Sequence, residues 1–122
     1  MKKILLLASS ALLISACSTI TEKQPETMVY INTGEIQCEL TGQTGIQTAR
    51  LLTDNNIDVS KTQCGQLTDV GVASVCGGTT VNINVHAIAT NKVAYAQALG
   101  FEDVTTLKTA SSTGYSASDC QK

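Results

Sequence analysis

The sequence predicts a small α+β domain, a mostly antiparallel sheet with two helices packed on one face, and three observations predict it. Two β-rich runs, 70–75 and 80–88, flank Cys76, Gly77, Gly78 and Thr79. A capping box, Thr44, Gly45, Ile46 and Gln47, opens an apolar stripe of helical period. Gly100 and Phe101 close a second stripe that starts at Thr90 or Asn91.

In chain order, Val29 and Ile31 alternate with polar partners, and Ile36, Cys38 and Leu40 alternate in the opposite phase. A turn on Thr33 and Gly34 repairs the phase, placing Ile31 opposite Ile36 and Val29 opposite Cys38; a bulge in one longer strand serves as well. In the first helix the Thr44 hydroxyl accepts from an orphan backbone N–H and Gln47 reaches back to the cap. Ile46, Ala49, Leu51 and Leu52 form its apolar stripe, and Asn55 or Asn56 suits the left-handed residue that ends it. Ile57 and Val59 then read as a short strand leading to Cys64, and this strand, helix, strand order suggests a parallel crossover.

Gly77 and Gly78 tolerate the positive φ of a two-residue hairpin loop. Closing the loop there sets Val72 opposite Ile83 and Val70 opposite Val85 on an apolar face. The other face then carries Thr80, Asn82, Asn84 and His86, with Asp69 opposite His86. The second helix runs through Val93, Ala94, Ala96 and Leu99, and Phe101 takes the hydrophobic contact of a Schellman ending. Val104 and Leu107 add a short extended piece. The Ser-rich segment 109–122 has no periodicity and orders only if Cys120 ties it down.

At the N-terminus, Met1, Lys2 and Lys3 precede an apolar run from Ile4 to Ile14 that is too short to span a bilayer, and then Ser15, Ala16 and Cys17. The quartet Ile14, Ser15, Ala16, Cys17 resembles the lipobox of bacterial lipoproteins, in which the cysteine is diacylated, the preceding peptide is removed and the new amine is acylated. The resemblance implies lipidation at Cys17 and, with Ser18 where a retention signal would place aspartate, the outer membrane of a Gram-negative cell. Several acyl chains on one residue make an effectively permanent anchor. The organisation expected is therefore a signal peptide over 1–16, a lipidated cysteine and polar tether over 17–27, one domain over 28–108 and the tail over 109–122.

Removing sixteen residues from 122 leaves 106, enough for one domain. Without Lys2 and Lys3, six basic side chains face ten acidic ones, a formal charge of −4, which argues against a nucleic-acid partner. Three tyrosines, one phenylalanine and no tryptophan leave the core short of large rings. Disulfides are the natural staples for a small exported domain, and Cys38, Cys64, Cys76 and Cys120 are an even set. If the crossover strands are adjacent and parallel, Cys38 and Cys64 end at one edge of the sheet and Cys76 at the other. That ranks a Cys38–Cys64 bond first and leaves Cys76 for Cys120 or buried and reduced.

Reactive chemistry finds little support in the pattern. No Cys-x-x-Cys occurs, and Cys38, Cys64, Cys76 and His86 lack the short knuckle of a structural zinc site, so no metal or other cofactor is expected. His86 with Asp69 could act as a base and its orienting carboxylate, but a cross-strand pair on a solvated sheet face accounts for both. The expected function is thus a lipid-anchored, non-enzymatic binding or structural module for an envelope protein or component. The alternative is a small hydrolase or ligand-binding protein using the polar face of Asp69, Asn82, Asn84 and His86.

Overall fold

The computed structural model describes residues 16–18 and 20–120. The expected signal peptide, Ala16 apart, lies outside the described residues. The elements are β1 (Glu26–Asn32), α1 (Gly45–Thr53), β2 (Val59–Leu67), β3 (Asn82–Ala89), α2 (Val93–Ala98), β4 (Glu102–Asp103) and β5 (Tyr115–Ser118). The strands form one five-stranded sheet in the order β4-β1-β3-β2-β5, and every neighbouring pair is antiparallel. The α+β class and the antiparallel sheet of the sequence reading hold, with the sheet the larger part.

β3 is central because it can be buried on both sides. Residues Ile83 to Ile88 of this strand are all buried. Its Asn82, Asn84, His86 and Ile88 row shares a face with Val29 of β1, and Val29 and Ile88 meet Leu52 of α1 and Ala96 of α2 in one core with Ile57 and Phe101. Its Ile83, Val85 and Ala87 row faces the other way, beside Tyr30 and Gln63. The chain must cross the sheet from β4 at one edge to β5 at the other. On the Val85 face the Tyr30 hydroxyl donates to Glu102 of β4 at 3.1 Å, and Ile83, Val85 and Ala87 are all buried.

The local signals are realised closely. Thr44 caps α1, its hydroxyl accepting from the Gln47 N–H at 3.2 Å while the Gln47 carbonyl accepts from the Thr44 N–H at 2.8 Å. Asn56 carries the positive φ, 60°, that follows α1. After α2, the Phe101 N–H bonds the Ala96 carbonyl across Gly100, and the Phe101 ring is buried. The expected cap at Thr90 or Asn91 differs: a 3-10 turn over Thr90–Lys92 leads into α2 without a side-chain cap. Ile46, assigned to the apolar stripe of α1, is 71% exposed, and Thr48 is buried in its stead. Val104–Leu107 is a 3-10 turn rather than an extended piece.

Both expected hairpins are replaced. Residues 68–81 form a loop instead of a strand, so Val72 faces no strand and β2 takes the place beside β3. Gly77 still adopts a positive φ, 84°, because the Gly78 N–H closes a tight turn onto the Val75 carbonyl. Gly34 likewise turns with φ 74°, but the chain after it does not return along β1, and Val29 lies opposite His86 rather than Cys38. β1 and β2 do run parallel, yet β3 inserts between them, so the crossover is split. β5 brings part of the Ser-rich segment into the sheet, and β1 begins at Glu26, so the folded unit extends beyond 28–108 on both sides.

The disulfides follow from these changes. Cys38 pairs with Cys76 and Cys64 with Cys120, with Cα separations of 5.1 and 4.8 Å. The expected Cys38–Cys64 bond fails because Cys76 sits in a loop at the same end of the sheet as Cys38. Pairing of β5 with β2 then carries Cys120 to Cys64.

Candidate functional site

A cleft of about 1040 Å³ opens on the helix-bearing face, at the end of the sheet where β1 finishes and β3 begins. Its floor crosses the strands: Asn82 and Asn84 come from β3, Cys64 and Gln66 from β2, Ser116 and Ser118 from β5. These residues share one face because alternate positions on antiparallel neighbours point the same way, and the observed register puts Asn84 beside Cys64 and Cys64 beside Ser118. Residues 41–46, leading into α1, form one wall, and Glu35 and the segment 118–120 contribute to the others.

Side-chain amides organise the floor. The Asn82 carbonyl accepts from Gln66 Nε2 at 3.1 Å, and Asn82 Nδ2 donates to Glu35 Oε2 at 2.6 Å. Asn84 Nδ2 donates to the Gln43 carbonyl at 2.9 Å, which pins the wall to the floor. Asn84 Oδ1 lies 3.5 Å from Cys64 Sγ, but a disulfide sulfur carries no hydrogen, so this is a contact and not a hydrogen bond. Asn84 Oδ1 therefore has no protein donor among the described residues.

The approach of α1 to this floor depends on Gly45. A Cβ there would fall 2.9 Å from Cys120 Sγ and 2.9 Å from Thr62 Cγ2, inside any tolerable contact. Gly45 thus does more than start the helix: it lets the helix end rest on the Cys64–Cys120 bond, which makes the bond part of the cleft wall. Ile46, the next residue, lines the mouth and is largely exposed.

The lining is unevenly charged. Glu35 and Asp119 are acidic, and among the described residues Lys, Arg, His and aromatic rings are absent from it. Beside the cleft, the loops 33–43 and 68–81 are joined by the Cys38–Cys76 bond and expose Leu40, Val70, Val72 and Val75.

Of the polar face expected from the sequence, Asn82 and Asn84 lie in the cleft, and His86 continues their row beneath α1. His86 is fully buried. Its Nε2 lies 2.8 Å from Thr48 Oγ1 and its Nδ1 2.9 Å from Thr62 Oγ1, while Phe101 packs edge-on against the ring. A neutral imidazole offers one donor and one acceptor. With the Thr48 hydroxyl hydrogen directed at the Gly45 carbonyl, 3.2 Å away, the network assigns the proton to Nε2 and leaves Nδ1 to accept from Thr62. Burial pushes the His86 pKa down to about 4, so the ring is neutral at physiological pH. Asp69, expected opposite His86, is exposed in the loop after β2, and Thr62 holds the cross-strand position instead. Cys17 is exposed and outside any disulfide.

The residues missed at the sequence level are Glu35, Gln66, Asp119 and the cleft role of Ile46. Among the described residues, no His, Cys, Asp and Glu side chains cluster as a metal site, and no helix is long and apolar enough to cross a membrane. Comparisons with protein-family models, curated proteins and solved structures return no match for this chain.

Proposed function

We propose that this protein is a lipid-anchored component of the bacterial cell envelope, acylated at Cys17, that acts as a non-enzymatic binding module through the cleft floored by Asn82 and Asn84. The observation that carries this reading is the position of the cleft relative to the tether. Glu26, where β1 starts, pairs with Ala89 at one end of the sheet, whereas Thr33 and Asn82 line the cleft at the other. With a rise of about 3.3 Å per residue, β1 separates the two by roughly 20 Å. An anchor at Cys17 would attach at the end of the sheet opposite the cleft, so the tether leaves the cleft open to an envelope component.

A hydrolytic role for His86 and Asp69 loses its support. The imidazole is sealed under α1 with both nitrogens engaged by threonine hydroxyls, and the carboxylate lies elsewhere. Ligand binding by the same strand row keeps its support through Asn82 and Asn84.

Photo-crosslinking in living cells tests the proposal. A photoreactive residue in place of Ser118, in the cleft, should give a discrete adduct, while one in place of Tyr95, exposed on α2, should not. Adducts from Tyr95 alone would sink it.

A further inference from the structure

We infer that the cleft holds an extended peptide segment of about four residues that carries a basic side chain, an inference that rests on the cleft being the binding site. Length comes first. The floor runs across the sheet from the end of β1 through β3 and β2 to β5, three inter-strand steps of about 4.8 Å, or roughly 14 Å. At about 3.3 Å per residue, an extended chain covers that distance with about four residues.

Chemical complementarity follows from the lining. A peptide group presents one N–H donor and one carbonyl acceptor, and side-chain amides are its natural complement. Gln66, Asn82 and Asn84 put three amides on the floor, and Asn82 is engaged through both of its polar atoms by Gln66 and Glu35. The group left for a peptide N–H is Asn84 Oδ1, on a residue 1% exposed, which lacks a protein donor among the described residues. Glu35 and Asp119, with no cation in the lining among the described residues, disfavour an anionic ligand and favour a basic one. Without aromatic rings the cleft offers no stacking platform for sugars or bases, while Ile46 at the mouth gives an apolar contact to a lysine or arginine stem.

The test uses the full chain, purified in detergent with both disulfides intact and labelled for NMR. The probes are acetylated and amidated Ser-Lys-Ser-Lys, the same peptide with glutamate for lysine, and a tetramer of N-acetylglucosamine. The lysine peptide should bind at least tenfold more tightly than either other probe and shift the side-chain amides of Gln66, Asn82 and Asn84. Asp119→Asn combined with Gln66→Ala, both at exposed positions, should weaken it about fivefold, and Asp58→Asn, an exposed carboxylate outside the cleft, should leave it unchanged. Equal or tighter binding of the glutamate peptide or the sugar, or shifts outside the cleft, would overturn the inference. If the Ser118 crosslink forms in cells while the lysine peptide shows no preference, the peptide assignment fails and the binding cleft stands. Loss of the crosslink together with absence of binding by every probe defeats both.

Discussion

His86 shows how a single residue reads differently from sequence and in three dimensions. Alternation along β3 correctly places Asn82, Asn84 and His86 on one face, but polarity assigns that face to solvent, whereas α1 covers its His86 end and Asn82 and Asn84 floor the cleft. The histidine is accommodated because Thr48 and Thr62 satisfy both nitrogens, each from a different element. Neither threonine is identifiable as a partner from the pattern, since the pairing requires α1 to be seated on β2. The burial has a pH consequence. With an unfolded pKa near 6.5 and a folded one of about 4, the unfolded chain binds the extra proton first as pH falls. The stability attached to neutral His86 is complete above about pH 6.5 and is lost as pH drops toward 4, a decline of about 3 kcal/mol. Urea denaturation at pH 7 and pH 4 should show this decline, and His86→Gln, which keeps a neutral donor and acceptor, should reduce it by about that amount. An unchanged pH slope in the glutamine variant would show that His86 is not the proton acceptor.

Among the elements, α1 was legible almost to its last residue, whereas β5 was invisible. Thr44, Gln47 and Asn56 act within a few positions of the backbone groups they satisfy, so their signals survive without any fold. Tyr115–Ser118 is short, Ser-rich and mostly exposed, and it becomes a strand because β2 offers an edge and Cys120 bonds Cys64. The loop 68–81 is the converse case, a valine-rich run that stays out of the sheet because β2 already occupies the place beside β3. Removing the second disulfide with Cys64→Ala and Cys120→Ala should cost about 2–4 kcal/mol. Hydrogen exchange in that variant should show protection lost first at residues 115–118. A non-reducing peptide map of the native protein should recover a Cys64–Cys120 crosslinked peptide, and a Cys76–Cys120 peptide as the main species would contradict the pairing.

At the scale of the molecule, the core is small and Phe101 is the one large ring buried in it among the described residues, so much of the constraint falls on two disulfides at the cleft end. The eight residues from Ser18 to Pro25 can extend about 26–29 Å, which allows the domain to stand clear of a surface that holds Cys17. Lipidation is tested directly by Cys17→Ser: the variant should take up no labelled palmitate and should leave the membrane fraction, with the disulfides unaffected. Palmitate uptake by the serine variant would remove the anchor from the proposal.

The sequence by itself determined the start and stop of α1, the stop of α2, the turn at Gly34, the positive φ at Gly77 though not the one expected at Gly78, the two-residue period of β3, the class of fold and the expectation that its cysteines are stapled. Each of these depends on residues a few positions apart and on the sign of their hydropathy. Tertiary structure alone decided that β3 separates β1 from β2, that Asn84 and His86 face inward, that Cys38 meets Cys76, and that Glu35, Gln66 and Asp119 share a cleft. Those outcomes turn on which strand sits beside which and which sheet face the helices cover. Competing strands offer similar alternation and similar apolar area, so only the packing of the whole chain, with every buried polar group satisfied at once, selects among them.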